Sequence, residues 1–93
     1  MADLRRHTLT TAYLGSEQTI PASAEEIEVW GVDADPATAT AAVWFRLTDP
    51  AGDQLEILIA AGQTYTAKMK RAGNITYNVK ATTGTPDALV RIV

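Results

Sequence analysis

Apolar side chains recur at every second position through most of the chain, and turn-forming residues interrupt the alternation at intervals of about 8 to 12 residues. A period of two puts successive side chains on opposite faces of an extended strand. The pattern predicts an all-β chain, an antiparallel β-sandwich or flattened barrel of about seven strands, in one domain spanning residues 1–93. The first strand is expected over His7 to Leu14, followed by a short extended piece, Gln18 to Ile20, that meets Pro21. Pro21 has no amide donor and suits an edge or a bend. Glu26 to Val32 turns Ile27, Val29 and Gly31 inward; Thr40 to Thr48 does the same with Val43, Phe45 and Leu47. Leu55, Ile57 and Ile59 face inward on Gln54 to Ala60, and Tyr65, Ala67 and Met69 on Thr64 to Lys70. Arg71 to Gly73 is expected to close a hairpin onto a strand whose inward residues are Ile75, Tyr77, Val79 and Ala81, with Asn78 facing water. The last strand, Ala88 to Val93, is apolar on both faces and has no predicted orientation. Ala34 to Ala42 is rich in alanine but carries Pro36 and β-branched residues, so at most one helical turn is expected there.

Residues paired across an antiparallel hairpin share a face, which tests any proposed register. Pairing Trp30 with Trp44 sets Glu28 beside Arg46, and sets Val29 beside Phe45 and Ile27 beside Leu47 on the inner face. Pairing across the Asp49 to Asp53 turn sets Arg46 beside Glu56, Trp44 beside Leu58 and Phe45 beside Ile57. The resulting three-stranded sheet carries an outward row of Trp30, Trp44 and Leu58 next to a row of Glu28, Arg46 and Glu56. Clustered outward aromatic and Arg side chains mark contact surfaces. These six residues are the candidate interface. Three other readings stay open: the row covers the edge of a curling sheet, the domain is a barrel whose inward face is the opposite one, or the indoles form a platform for a ligand such as a sugar ring.

Composition narrows the function. The chain is 46% hydrophobic and 20% charged, within the range of folded domains. Its net charge of −3 opposes a role built on phosphate contacts, so direct nucleic-acid binding is not expected. Lys68, Lys70 and Arg71 form a local basic strip that reads as the solvated face of a strand. Without cysteine the chain has no disulfide, thiolate or Cys-based zinc site. Met1 to Arg6 is not followed by an apolar run, so no signal peptide is expected, and no run approaches the roughly 18 apolar residues of a membrane-spanning helix. No membrane partner is expected, and the domain is expected to fill the gene product from Met1.

Residues that would carry chemistry are sparse. His7 is the one histidine, and Ser16 and Ser23 sit in no Gly-x-Ser-x-Gly context, so nothing supports a hydrolase triad. Asp33, Asp35, Asp49 and Asp53 fit no calcium-loop spacing and read as turn formers. Glu25, Glu26 and Glu28 read as solvated edge charges, and the glycines form no phosphate-binding loop. No catalytic residue, cofactor or metal is expected, and the chain is not expected to be an enzyme.

The run Gln18 to Val29, the segment Ala60 to Tyr65 and the compact Leu89 to Val93 ending resemble the small, cysteine-free, all-β virion proteins of tailed bacteriophages and phage-like particles. The resemblance implies a structural role in head decoration, head-tail joining or a fibre base. It implies a homo-oligomer that also contacts a capsid or tail protein, assembled in the host cytoplasm and resident in the virion. A carbohydrate- or surface-binding β-sandwich module is the alternative, and a small inhibitor or adaptor a third possibility.

Overall fold

A computed structural model describes residues 3–33, 41–69 and 74–93. The described residues contain eight strands and no helix: β1 (Asp3–Thr8), β2 (Gln18–Ile20), β3 (Glu26–Val32), β4 (Val43–Thr48), β5 (Gln54–Ile59), β6 (Tyr65–Lys68), β7 (Ile75–Ala81) and β8 (Asp87–Ile92). They form two four-stranded antiparallel sheets, ordered β1-β8-β3-β6 and β2-β7-β4-β5. Consecutive strands change sheet at every connection except β4 to β5. This is the eight-stranded jelly roll, a two-layer sandwich of interlocked Greek keys.

The alternation predicted from sequence sets the inner faces. Ile27, Val29, Val43, Phe45, Tyr77 and Val79 are fully buried, and Leu47, Ile57, Tyr65, Ala67, Met69 and Ile75 pack around them. The Phe45 ring lies 5.8 Å from that of Tyr65 and 5.7 Å from that of Tyr77. On β8 the buried residues are Ala88, Val90 and Ile92, which orients the strand that the sequence left open. Gly31 permits a close approach to the chain entering β4, because a β-carbon there would lie 2.3 Å from the Ala41 carbonyl oxygen and 2.8 Å from Val43 Cγ1. The Asp49 turn is capped as expected: Asp49 Oδ1 accepts from the amides of Ala51 and Asp53, and Gly52 takes a φ of 91°.

Three sequence expectations are corrected. Strand β1 lies at Asp3–Thr8 rather than His7 to Leu14, and residues 10–17 form no strand. β3 pairs with β8 and β6, not with β4. Matching faces are necessary for a hairpin but do not establish one, and the ten residues between β3 and β4 are enough to change layers. β6 and β7 also lie in different sheets and form no hairpin. The expected Arg71 to Gly73 loop, the helical turn within Ala34 to Ala42, Asp35, Lys70 and the start of the fourth strand at Thr40 fall largely or wholly outside the described residues.

Candidate functional site

Separating β3 from β4 divides the six candidate interface residues between opposite outer faces. On one sheet β7, β4 and β5 align Lys80, Trp44 and Leu58 in one row and Asn78, Arg46 and Glu56 in the next. On the other, Trp30 pairs with Leu89, and Glu28 with Arg91. Trp30 and Trp44 are therefore not neighbours. Glu28 forms its ion pair with Arg91 at 2.9 Å instead of with Arg46.

The Trp44 face is partly covered by the chain between β1 and β2. The Leu14 amide donates to Asn78 Oδ1 at 2.8 Å, and Asn78 Nδ2 donates to the Leu14 carbonyl oxygen and to Glu17 Oε2. Arg46 Nη2 and the Thr48 hydroxyl both donate to the Glu17 carboxylate, each at 3.2 Å. The Tyr13 ring lies between two cations, with the Arg46 guanidinium 4.2 Å and the Lys80 ammonium 4.5 Å from its centroid. Burial, and then the charge of Glu56, push the Tyr13 hydroxyl above its ordinary pKa, while Arg46 opposes them. This strap explains why Asn78 is 2% exposed although its strand position faces outward. Arg46 is committed within the fold.

The side of the sandwich formed by β1 and β2 is tied by polar groups rather than apolar ones. Arg5 and His7 point inward from β1. Arg5 Nη1 donates to the Thr19 carbonyl oxygen at 2.9 Å and to the Tyr77 hydroxyl at 3.5 Å, and His7 Nε2 lies 2.8 Å from that hydroxyl. Burial, then the nearby Arg5 charge, lower the His7 pKa; burial raises that of Tyr77, and Arg5 counters it. A cavity of about 250 Å³ opens between the layers near Leu47, Leu55, Met69 and Ile75. A cleft of about 430 Å³ lies against Ala41, Ala42 and the turn at 82–86.

Among the described residues no three His, Cys, Asp or Glu side chains converge to hold a metal ion, and no helix is long and apolar enough to cross a membrane. Exposed large apolar side chains are more informative. Leu4 is 65% exposed on edge strand β1, and Leu55 and Leu58 are 56% and 53% exposed on edge strand β5. Leu58 was legible from strand alternation. Leu4 was missed because the first strand was expected to start at His7, and Leu55 was expected to be buried.

No protein-family model and no curated protein matches the chain. Solved structures share its fold at low identity. One is hydroxypropylphosphonic acid epoxidase from S. wedmorenis in complex with fosfomycin, at 11% identity and a TM-score of 0.56 over 98% of this chain. The chain spans 41% of that protein. A subunit of Bacillus endospore appendages, described as disulfide-linked pili, matches at 16% identity and a TM-score of 0.56, over 100% of this chain and 85% of its own. The SPBc2 prophage-derived protein YomS matches at 12% identity and a TM-score of 0.50, over 99% and 94% respectively. The likeness shows the fold; neighbours with it include an enzyme as well as a pilus subunit and a prophage protein.

Proposed function

We propose that the chain is a non-catalytic structural subunit of a phage or phage-like particle that acts by self-assembly and by contact with capsid or tail subunits. The observation that carries this reading is the placement of exposed leucines on both strands β1 and β5 at open sheet edges. Open edges present unpaired amides and carbonyls that can pair with a strand of another chain. The two neighbours that the chain matches over most of their length are a pilus subunit and a prophage-derived protein, which favours an assembled role in a virion or an extracellular appendage. The polar side chains with the densest contacts, Arg46, Glu17 and Asn78, hold the strap onto its sheet, and Arg5 and His7 hold β1 onto Tyr77. These roles are structural.

The test is mass. Multi-angle light scattering of the purified chain, alone and mixed with candidate capsid or tail subunits, is expected to show homo-oligomers or mixed complexes. Monomers under every condition would remove the reading. Glycan binding by a stable monomer, lost on Trp44→Ala, would favour a carbohydrate-binding module instead.

A further inference from the structure

We infer that copies of this chain join head to tail, β1 of one copy pairing antiparallel with β5 of the next, with Leu4 against Leu58, Arg6 against Glu56 and Thr8 against Gln54. The inference rests on the self-assembly reading and specifies its contact.

Both strands are six residues long and, among the described residues, β1 pairs only with β8 and β5 only with β4, so each has one free edge there. On β1 the outer positions are Leu4, Arg6 and Thr8, aligned with Arg91, Leu89 and Asp87; Asp3, Arg5 and His7 align with the buried Ile92, Val90 and Ala88. On β5 Gln54, Glu56 and Leu58 share the outer face with Thr48, Arg46 and Trp44. A sheet continued across two copies must keep outer residues opposite outer residues. Full overlap of β1 with β5 does so at every position. It sets leucine against leucine, cation against anion and a hydroxyl against an amide, the pair types that stabilise neighbouring strands. On the inner face it sets Arg5 against Ile57 and His7 against Leu55, and the Leu55 side chain gains a neighbour.

Self-pairing lacks this match. Two antiparallel copies of a six-residue strand at full overlap place outer positions opposite inner ones. A shifted β5 pair that keeps faces matched sets Glu56 against Glu56, against Gln54, against Leu58 or against the residue just past the strand. A shifted β1 pair sets Arg6 against Arg6, or against Leu4 or Thr8. On the outer face neither gives a cation an anionic partner; the β1 register that sets Asp3 against Arg5 does so on the inner face, overlaps only three residues, and offers Arg5 an anion it already holds within its own strand.

The topology permits the union on both layers. The Arg5 bond to the Thr19 carbonyl places β1 and β2 on the same side of the sandwich, so β5 and β6 share the other. The connection after β5 is a reverse turn, in which the Gln63 amide donates to the Ala60 carbonyl oxygen at 3.0 Å. Strands β5 and β6 therefore run in opposite directions, as do β7 and β8. With the antiparallel pairings, β1 and β5 run the same way in one copy. A half-turn about the axis joining the two sides brings β5 of the next copy antiparallel beside β1, and its β6 antiparallel beside β2. Because the contact uses two different edges, it repeats to give a filament or a closed ring.

The chain contains no native cysteine, so introduced thiols report the contact without background. Leu4 and Leu58 are exposed, and their replacement leaves the core intact. Facing residues of paired strands lie within disulfide reach. The variant L4C/L58C, oxidised under conditions where the wild-type chain assembles, is expected to give a ladder of covalent oligomers on a non-reducing gel. L4C alone, L58C alone and the off-contact control L4C/A51C are expected to give none. Wild-type assembly without a ladder overturns the contact while leaving self-assembly standing. Dimers from either single variant overturn it in favour of a two-fold pairing. A wild-type chain that never assembles overturns both this contact and the proposed function.

Discussion

Replacing Gly31 by alanine tests the layer arrangement with one atom. In the jelly roll the new β-carbon would sit 2.3 Å from the Ala41 carbonyl oxygen, 2.8 Å from Val43 Cγ1 and 3.1 Å from the Ala41 carbonyl carbon, where ordinary contact begins at 3.4 Å. Val43 can rotate, but the Ala41 carbonyl is backbone, so the strand or the chain entering β4 has to move by about 1 Å. Overpacking of a close-packed interior costs about 1 to 3 kcal/mol. The backbone obstacle puts G31A at the upper end, about 3 kcal/mol. For a domain of this size each kcal/mol moves the melting temperature by about 4 to 8 °C, so the expected loss is about 12 to 24 °C. Thermal unfolding followed by circular dichroism measures it, with urea midpoints as an independent check. A variant melting within about 2 °C of wild type, a change of less than 1 kcal/mol, would show that Gly31 does not lie against the Ala41 carbonyl. It would favour the β3 to β4 hairpin instead, in which Gly31 faces Val43 with β-carbons about 4.5 to 5.5 Å apart and has room for a methyl group.

Phe45→Ala is expected to cost about 3 to 5 kcal/mol in urea unfolding, because the ring is fully buried between Tyr65 and Tyr77. Trp44→Ala, half-buried on the outer face, should cost clearly less, and the reverse order would invert the faces of β4. Asn78→Ala leaves the Leu14 amide without its acceptor and removes one of three donors to Glu17, and should cost about 1 to 3 kcal/mol, with protease cleavage appearing between Thr10 and Glu17. An unchanged cleavage pattern would show that the strap is held by other means. Burial and Arg5 hold the folded His7 imidazole below its ordinary pKa, so the unfolded chain takes up the proton first. Stability should therefore fall as pH drops through the ordinary imidazole value, about 6.5, and stop falling for this reason once folded His7 is also protonated. His7→Gln should remove that part of the slope, and identical pH profiles for the two proteins would contradict the assignment.

Much of the architecture was legible because period-two alternation reports which side of a strand is buried. Tyr77, Val79 and Ala81 on β7, and Val43 and Phe45 on β4, lie inside as their spacing predicts. The β4 to β5 register was legible as well, since a short turn with Asp49 and Gly52 leaves one way to pair: Arg46 with Glu56 and Trp44 with Leu58. Strand order was not. A jelly roll pairs strands distant in sequence, and any two amphipathic strands of similar length satisfy the face rule, so Trp30 and Trp44 passed it while belonging to different sheets. Asn78 shows the other limit: a polar residue at an outward position reads as solvated, and no local pattern signals that residues 10–17 fold back over it. The edge contact between β1 and β5 became visible only once the sheet edges were known.

Whether the chain is a self-assembling structural subunit is decided by sedimentation velocity of the untagged wild-type protein over a range of concentrations. A self-assembling subunit gives a series of species at successive multiples of the chain mass, shifting to larger ones as concentration rises, or one discrete ring. A single species at the monomer mass at every concentration, unchanged when capsid or tail subunits are added, would contradict it.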